Sequence, residues 1–327
     1  MEVKTEVVEA VLDLSAHLGQ QASPGGPMRL LRNALSARRH PRRLVAKDVY
    51  EAVSRETGLG IPLLSPWEPL SFEEIRAFLA DRVYGQEEAV AAVADAILSW
   101  KIRARRRDGP LGVLLFIGPT GVGKTELARQ TARFLFGSEE RLIRVDMGAF
   151  VGRDGLARFL GTSGTAQWSP VQAVAAHPWS VLLLDEIEKS DAFLFDALLS
   201  ILGEGRIADA EGREVSFRNC LIIMTSNLGS ELFLARSAGL MPEMARGNLE
   251  RQLLHRLEEK FRPEFVNRIQ RVVVFRPLSR DTVRRIAERE VGDLAASLQA
   301  QRPGLQIEVA PEVLERCLAE GYHPAYG

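Results

Sequence analysis

Apolar residues at helical spacing open the chain. Val7, Val8, Val11, Leu12, Leu14 and Leu18 share one face of a predicted helix, and Gly19 with Ser23-Pro24-Gly25-Gly26-Pro27 breaks it. A second helix fits Met28 to Leu35. A third fits Ala46 to Glu56, with Val49 and Val53 inward, and Thr57-Gly58-Leu59-Gly60-Ile61-Pro62 stops it. Ser71-Phe72-Glu73-Glu74 reads as a capping box opening a helix to Arg82, and another helix runs from Gln86 to Arg105. Short apolar runs then alternate with helical stretches. Strands are predicted at Gly112–Ile117, Arg141–Asp146, Ser180–Leu184, Asn219–Thr225 and Arg271–Phe275. The helices between them fall at Lys124–Leu135, Ala192–Leu202 and Leu249–Phe261. Strands apolar on both faces and separated by helices indicate a parallel sheet covered on both sides. From Pro277 the pattern becomes a long helix (Arg280–Gln299), a strand (Leu305–Val309) and a short helix (Pro311–Glu320). Three units are expected: a helical segment over 1–69, a large α/β domain over 70–276 and part of a smaller subdomain over 277–327.

Composition narrows the class. The 327 residues are 46% apolar and 26% charged, enough to bury a core and too apolar for disorder. The formal net charge is −1, so the whole chain exerts no electrostatic pull on nucleic acid or membrane. Two distant cysteines, Cys220 and Cys317, exclude a disulfide framework and a cysteine-rich zinc site. No apolar run approaches the roughly 20 residues that span a bilayer, and MEVKTEVVEA lacks the form of a signal peptide. The expectation is a soluble, cytoplasmic α/β protein. The short basic runs Ser36 to Arg43 and Lys101 to Arg107 read as a solvated loop and a helix end rather than nucleic-acid contacts.

Three stretches carry chemistry. Gly118-Pro119-Thr120-Gly121-Val122-Gly123-Lys124-Thr125 has the phosphate-loop spacing GxxxxGK[ST], and it lies between a predicted strand and a predicted helix as that motif requires. Small residues let successive backbone amides turn inward on phosphate oxygens at the positive end of the helix. Lys124 is placed to reach the β- and γ-phosphates of ATP, and the Thr125 hydroxyl to ligate Mg2+. Val181 to Glu186 is a buried strand ending in two acids, at the sheet edge where open α/β folds bind ligands. Asp185 there is expected to hold Mg2+ through water, and Glu186 to polarise the attacking water. Asn227, after the next strand, either senses the γ-phosphate or merely closes the turn Ser226-Asn227-Leu228-Gly229; spacing alone leaves both open.

Taken together these residues are a resemblance. The run Leu183 to Ser190, the segment Phe217-Arg218-Asn219 with Ile223 to Ser230, and Phe261 to Ile269 are similar to the second ATPase module of the Clp family. So are the phosphate loop with Glu126-Leu127 and the adenine-side box Val83-Tyr84-Gly85-Gln86. That family comprises AAA+ ring ATPases, among them the ClpB disaggregases and the ClpA and ClpC partners of a protease. The resemblance covers residues 70–327, and residues 1–69 resemble more loosely the helical end of a preceding module. It implies an AAA+ P-loop NTPase sheet with a small lid subdomain, and an ATP hydrolase working as a homo-hexamer on protein substrates. It implies that Asn227 is the γ-phosphate sensor and that Val83 and Tyr84 set backbone groups against adenine. Arg268, from sequence alone a surface arginine, becomes the finger that reaches the neighbouring subunit's nucleotide.

Departures from the family pattern qualify these implications. The Gly-Tyr-Val-Gly pore loop has no counterpart in Leu160 to Pro170, where Trp168 either grips a threaded polypeptide or, as favoured, packs at the start of the following helix. At Arg236 to Met241, Ala238 stands where protease-partner members present a large aliphatic residue, so an ordinary loop is expected and not a protease contact. His323-Pro324-Ala325-Tyr326-Gly327 stops short of the family's second-sensor arginine. The alternative function is a non-threading AAA+ scaffold that uses ATP to hold a ring and bind a partner.

Overall fold

The computed structural model describes residues 2–17, 25–37, 43–65, 67–103, 109–152, 154–161, 168–237, 246–302, 307 and 310–321. The N-terminal part comprises β1 (Glu2–Val3), α1 (Thr5–His17), α2 (Gly25–Ala37), β2 (Arg43–Leu44), α3 (Ala46–Thr57) and α4 (Ile61–Leu64). The central part begins with α5 (Phe72–Ala80), α6 (Glu87–Arg103), β3 (Gly112–Ile117), α7 (Lys124–Phe136) and β4 (Leu142–Asp146). It continues through α8 (Gly155–Leu160), α9 (Pro170–Ala176), β5 (Ser180–Asp185), α10 (Ala192–Glu204), β6 (Arg206–Ala208), β7 (Glu214–Ser216) and β8 (Cys220–Ser226). After these come α11 (Ser230–Ser237), α12 (Arg246–Lys260), α13 (Pro263–Val266), β9 (Arg271–Val274), α14 (Arg280–Gln301) and α15 (Pro311–Gly321).

The five predicted strands of the central part form one parallel sheet in the order β4-β5-β8-β3-β9. All residues of β3 and β8 are buried, which explains the apolar run of β3 and of β8 as far as Met224. Successive side chains divide between the two faces: Leu114 and Phe116 join Leu183 and Ile223 under α6 and α7. Val113, Leu115 and Ile117 join Leu182, Leu184, Ile222 and Met224 under α10 and α12. The order sets the site. β8 lies between β3 and β5, so the residues after β8 fall between the phosphate loop and the acids of β5.

The N-terminal helices share an apolar cluster with the sheet. Val7, Leu14, Leu30, Val53 and Leu59 are buried in the cluster that contains Leu135 and Phe136 of α7. Gly58 ends α3 with φ 78°, and a Cβ there would lie 2.9 Å from the Phe136 carbonyl oxygen, so only glycine fits this approach. Lys101 lies in the last turn of α6, where its charge is expected. Its Nζ donates to the carbonyls of Pro62 and Glu68 at 2.5 and 2.6 Å and pins the connection to α6.

The predicted capping box is present: Ser71 Oγ accepts from Glu74 N at 3.1 Å, and Glu74 Oε2 from Ser71 N at 2.9 Å. The helix expected after Trp168 is α9; unpredicted are α8 and the antiparallel hairpin β6–β7. Trp168 is 56% exposed, against the packing expected of it; Ser169 Oγ, accepting from Gln172 N, and Pro170 define the start of α9. The remaining pore stretch 162–167, the centre of the basic runs, Ala238 to Met241, all of the predicted strand at 305–309 except residue 307, and the last residues to Gly327 lie outside the described residues. No helix among the described residues is long and apolar enough to cross a membrane.

Candidate functional site

The turn after β3 is built for close approach of backbone. Gly121 and Gly123 adopt φ of 85° and 102°, and Gly123 caps α7, whose first amides have no partner within the helix. A cavity of about 320 Å3 opens there, lined by Thr120, Gly121, Gly123, Lys124, Thr125, Glu126, Arg144, Asp146, Asp185, Glu186 and Asn227. Lys124 is 8% exposed and folds over its own loop. Its Nζ donates to the carbonyls of Gly118 and Pro119 (3.0 Å to the latter), to Ser226 O at 3.5 Å and to Asn227 Oδ1 at 2.7 Å.

The acids of β5 are tied to β8 and β4. Asp185 Oδ2 accepts from Arg144 Nε and Nη2 at 3.0 and 2.7 Å, and Oδ1 accepts from Thr225 Oγ1. Glu186 is the one non-glycine residue with positive φ among those described, at 56°. Its Oε1 accepts from Asn227 Nδ2 at 2.9 Å and its Oε2 pairs with Lys189. Asn227 also donates its backbone N–H to Glu188 Oε1 at 3.0 Å. Asn227 therefore touches both Lys124 and Glu186, a placement that a residue serving only the turn would not have.

A second cavity of about 430 Å3 adjoins the first through Gly121, Gly123 and Glu126, and it is lined by Val83, Tyr84, Val122, Leu278 and Ile286 among others. Gln86 fixes its floor: Nε2 donates to Val122 O at 3.1 Å and to Arg276 O at 2.8 Å, and Oε1 accepts from Arg276 N at 3.1 Å. From α14, Arg289 donates to the Tyr84 hydroxyl at 2.6 Å and to Asp81 Oδ2 at 2.9 Å. Arg82 Nη1 reaches Asp293 of α14 at 2.6 Å.

Of the residues singled out in the sequence, Val83, Tyr84, Thr120 to Glu126, Asp185, Glu186 and Asn227 line the two cavities, and Pro119 supports them through its carbonyl. Arg268 lines neither cavity. It is exposed, beside Gly203 at the end of α10, and its side chain has no hydrogen bond or ion pair with any described residue. No sign of Arg144 or Arg289 is legible in the sequence, which places Gln86, Glu188, Lys189 and Thr225 in the resembling segments without a role. The donor set suits magnesium: one hydroxyl (Thr125) and one carboxylate (Asp185) are hard oxygen ligands in a cavity fit for phosphates, the combination by which Mg2+ is held. No cluster of three or more His, Cys, Asp or Glu is arranged for a metal among the described residues, so such an ion depends on phosphate ligands as well.

Burial lowers the Lys124 ammonium to about 8, against the pull of Glu188, Asp185 and Glu186, which favour its charge. Phosphate oxygens brought beside it raise that value again. Between about pH 8 and the raised value, binding of a nucleotide therefore takes up a proton, and affinity falls as pH rises, by up to about tenfold per unit. Calorimetric titration with ATP at pH 8.5 in two buffers of different ionisation enthalpy should show this uptake, and Lys124→Met should abolish it. Equal heats in both buffers for the unsubstituted protein would contradict it.

Residues 109–272 match the family described as AAA domain (Cdc48 subfamily). The chain is 39% identical over 285 residues to chaperone protein ClpB 1 of Synechocystis sp., covering 86% of this chain and 31% of that protein. It is 37% identical over 292 residues to the ATP-dependent Clp protease ATP-binding subunit ClpA homolog of Porphyra purpurea, covering 86% of this chain and 35% of that protein. Its structure superposes on that of S. cerevisiae Hsp104, solved as a casein complex in an extended conformation, with a TM-score of 0.78 and 27% identity. That superposition covers 100% of this chain and 57% of the other. The chain spans about a third of the length of these two curated relatives.

Proposed function

The chain belongs to the AAA domain family, Cdc48 subfamily, and from that premise we propose that it hydrolyses ATP and uses the cycle to remodel protein substrates within a cytoplasmic homo-hexamer. One observation carries the reading: the phosphate loop, the Asp185–Glu186 pair and Asn227 meet in a single cavity beside a second one floored by Val83 and Tyr84. The triphosphate lies on the amides of Gly121 to Thr125, at the positive end of α7. Lys124 turns from its loop carbonyls to the β- and γ-phosphates, a motion open to it because its present partners are neutral oxygens. Thr125 and Asp185 would hold Mg2+, which would neutralise charge on the phosphates. Glu186 takes the proton of the attacking water, and Asn227 orients that water and contacts the γ-phosphate. Adenine is received between Val83, Val122, Leu278 and Ile286.

Arg268 has its task outside its own subunit in this reading: exposed and without a charged partner among the described residues, it completes the site of the next copy in the ring. The lid helix α14 contacts the base-side segment through Arg289–Tyr84 and Arg82–Asp293, a route by which a change of nucleotide moves the lid. A substrate protein is the load that this motion acts on. The supporting parallel is the Hsp104 relative, whose structure was solved with casein.

Steady-state phosphate release by the full-length protein, with and without an unstructured polypeptide such as casein, tests the reading. Several-fold stimulation by the polypeptide is expected. Hydrolysis indifferent to it would contradict protein remodelling while leaving the ATPase standing.

A further inference from the structure

Thr225 has no part in the chemistry described above, yet its hydroxyl lies where the two acids depend on it. The residue is 1% exposed, next to last in β8. Pairing of β5 with β8 runs from Ser180 opposite Cys220 to Leu184 opposite Met224. Beyond that rung β5 leaves its partner, and Glu186 enters the left-handed region at φ 56°. The Glu186 N–H has thereby lost any strand acceptor, and Thr225 Oγ1 accepts it at 3.0 Å. The same hydroxyl donates its proton to Asp185 Oδ1. One oxygen thus fixes the carboxylate of the first acid and the backbone of the second. Thr225 is β-branched, so its χ1 is stiff, and a rotation that broke one bond would break both. Arg144 holds the other Asp185 oxygen, but from an exposed side chain; the buried restraint is Thr225.

We propose that Thr225 is a positioning residue for ATP hydrolysis: its hydroxyl aims Asp185 at Mg2+ and holds Glu186 in the turn from which it addresses water. The proposal rests on the ATPase reading above. Groups that orient a ligating carboxylate typically change metal affinity or activity by about 10–100-fold when removed. Valine keeps the shape of threonine and deletes the hydroxyl; serine keeps the hydroxyl and deletes the methyl.

The test uses the full-length protein with Thr225→Val and Thr225→Ser. The readouts are the Mg2+ dependence of binding of a fluorescent non-hydrolysable ATP analogue, kcat and KM for ATP at saturating Mg2+, and the melting temperature. For Thr225→Val the half-saturating Mg2+ concentration and 1/kcat should each rise by about 10–100-fold with KM little changed, and Thr225→Ser should restore both. A valine variant with unaltered Mg2+ requirement and kcat would overturn the proposal. So would a serine variant as impaired as the valine one, since packing of the methyl would then be the cause. If the valine variant does not fold, Thr225→Cys, which keeps only a weak donor, should need more Mg2+ than either the serine variant or wild type; equality with wild type would overturn the proposal. Wild-type hydrolysis no greater than that of Glu186→Gln would overturn the ATPase reading instead, while the Mg2+ dependence of analogue binding would still decide the Asp185 half.

Discussion

Glu186→Gln should lower steady-state ATP hydrolysis by about 10²–10⁴-fold, the range removed with a general base, while the nucleotide still binds. The substitution is nearly isosteric and, like glutamate, occupies φ 56° without the freedom of glycine, so the turn suffers no new backbone strain. The amide still offers an oxygen, and Lys189 lies against one carboxylate oxygen of Glu186, so that contact can be kept. What is lost is the proton acceptor. The groups that would hold ATP and magnesium (Gly121 to Lys124, Thr125, Asp185) are untouched, so the variant should retain ATP and remain in its ATP-bound assembly. Rapid phosphate detection gives the rate, and size-exclusion chromatography in ATP gives the assembly. A rate within threefold of wild type would remove Glu186 from the mechanism.

Arg268→Ala is expected to have an effect as large or larger, about 10³–10⁵-fold in kcat, because an arginine supplied by a neighbour stabilises charge on the transferring phosphoryl group. A guanidinium suits the task, being planar, forked and permanently charged. Within its own subunit the residue supports nothing essential to folding: it is exposed, beside Gly203, and without a charged partner among the described residues. The variant should therefore melt within a few degrees of wild type and bind ATP to the isolated subunit with unchanged affinity. A fall in monomer affinity that accounts for the lost rate would mean that Arg268 acts in its own site or in the fold.

The parts of the fold legible in the sequence are those governed by local pattern. β3, Val181 to Leu184 of β5 and Cys220 to Met224 of β8 are apolar runs because both faces of the sheet are covered, and the phosphate loop announces itself by glycines at positions of positive φ. The hairpin β6–β7 escaped because its strands are three residues each, shorter than any periodicity, and its turn is organised by one side chain. Asp209 Oδ1 accepts the backbone N–H of Glu211 and of Arg213, each at 2.9 Å, an arrangement that composition does not signal. The missed site residues share a different cause. Arg144 meets Asp185 across 41 positions, Thr225 meets Glu186 across 39, and Gln86 meets Arg276 across 190, so their roles exist only once the strand order is known. Exposure of Trp168 was likewise undetermined, since an aromatic before a helix cap packs only if an apolar partner lies near. Arg268 is the converse: its geometry within one subunit is plain, and its role appears only in the resemblance.

In the mechanism proposed above, catalysis is shared between two copies of this chain, Glu186 from one and Arg268 from the next. The most direct test is phosphate release from an equimolar mixture of Glu186→Gln and Arg268→Ala full-length subunits, each nearly inactive alone. In mixed rings an Arg268→Ala subunit keeps its own Glu186 and receives an intact Arg268 from a Glu186→Gln neighbour. The mixture should be far more active than the sum of the two separate proteins. A mixture that forms rings but shows only the sum of the two residual rates would contradict it.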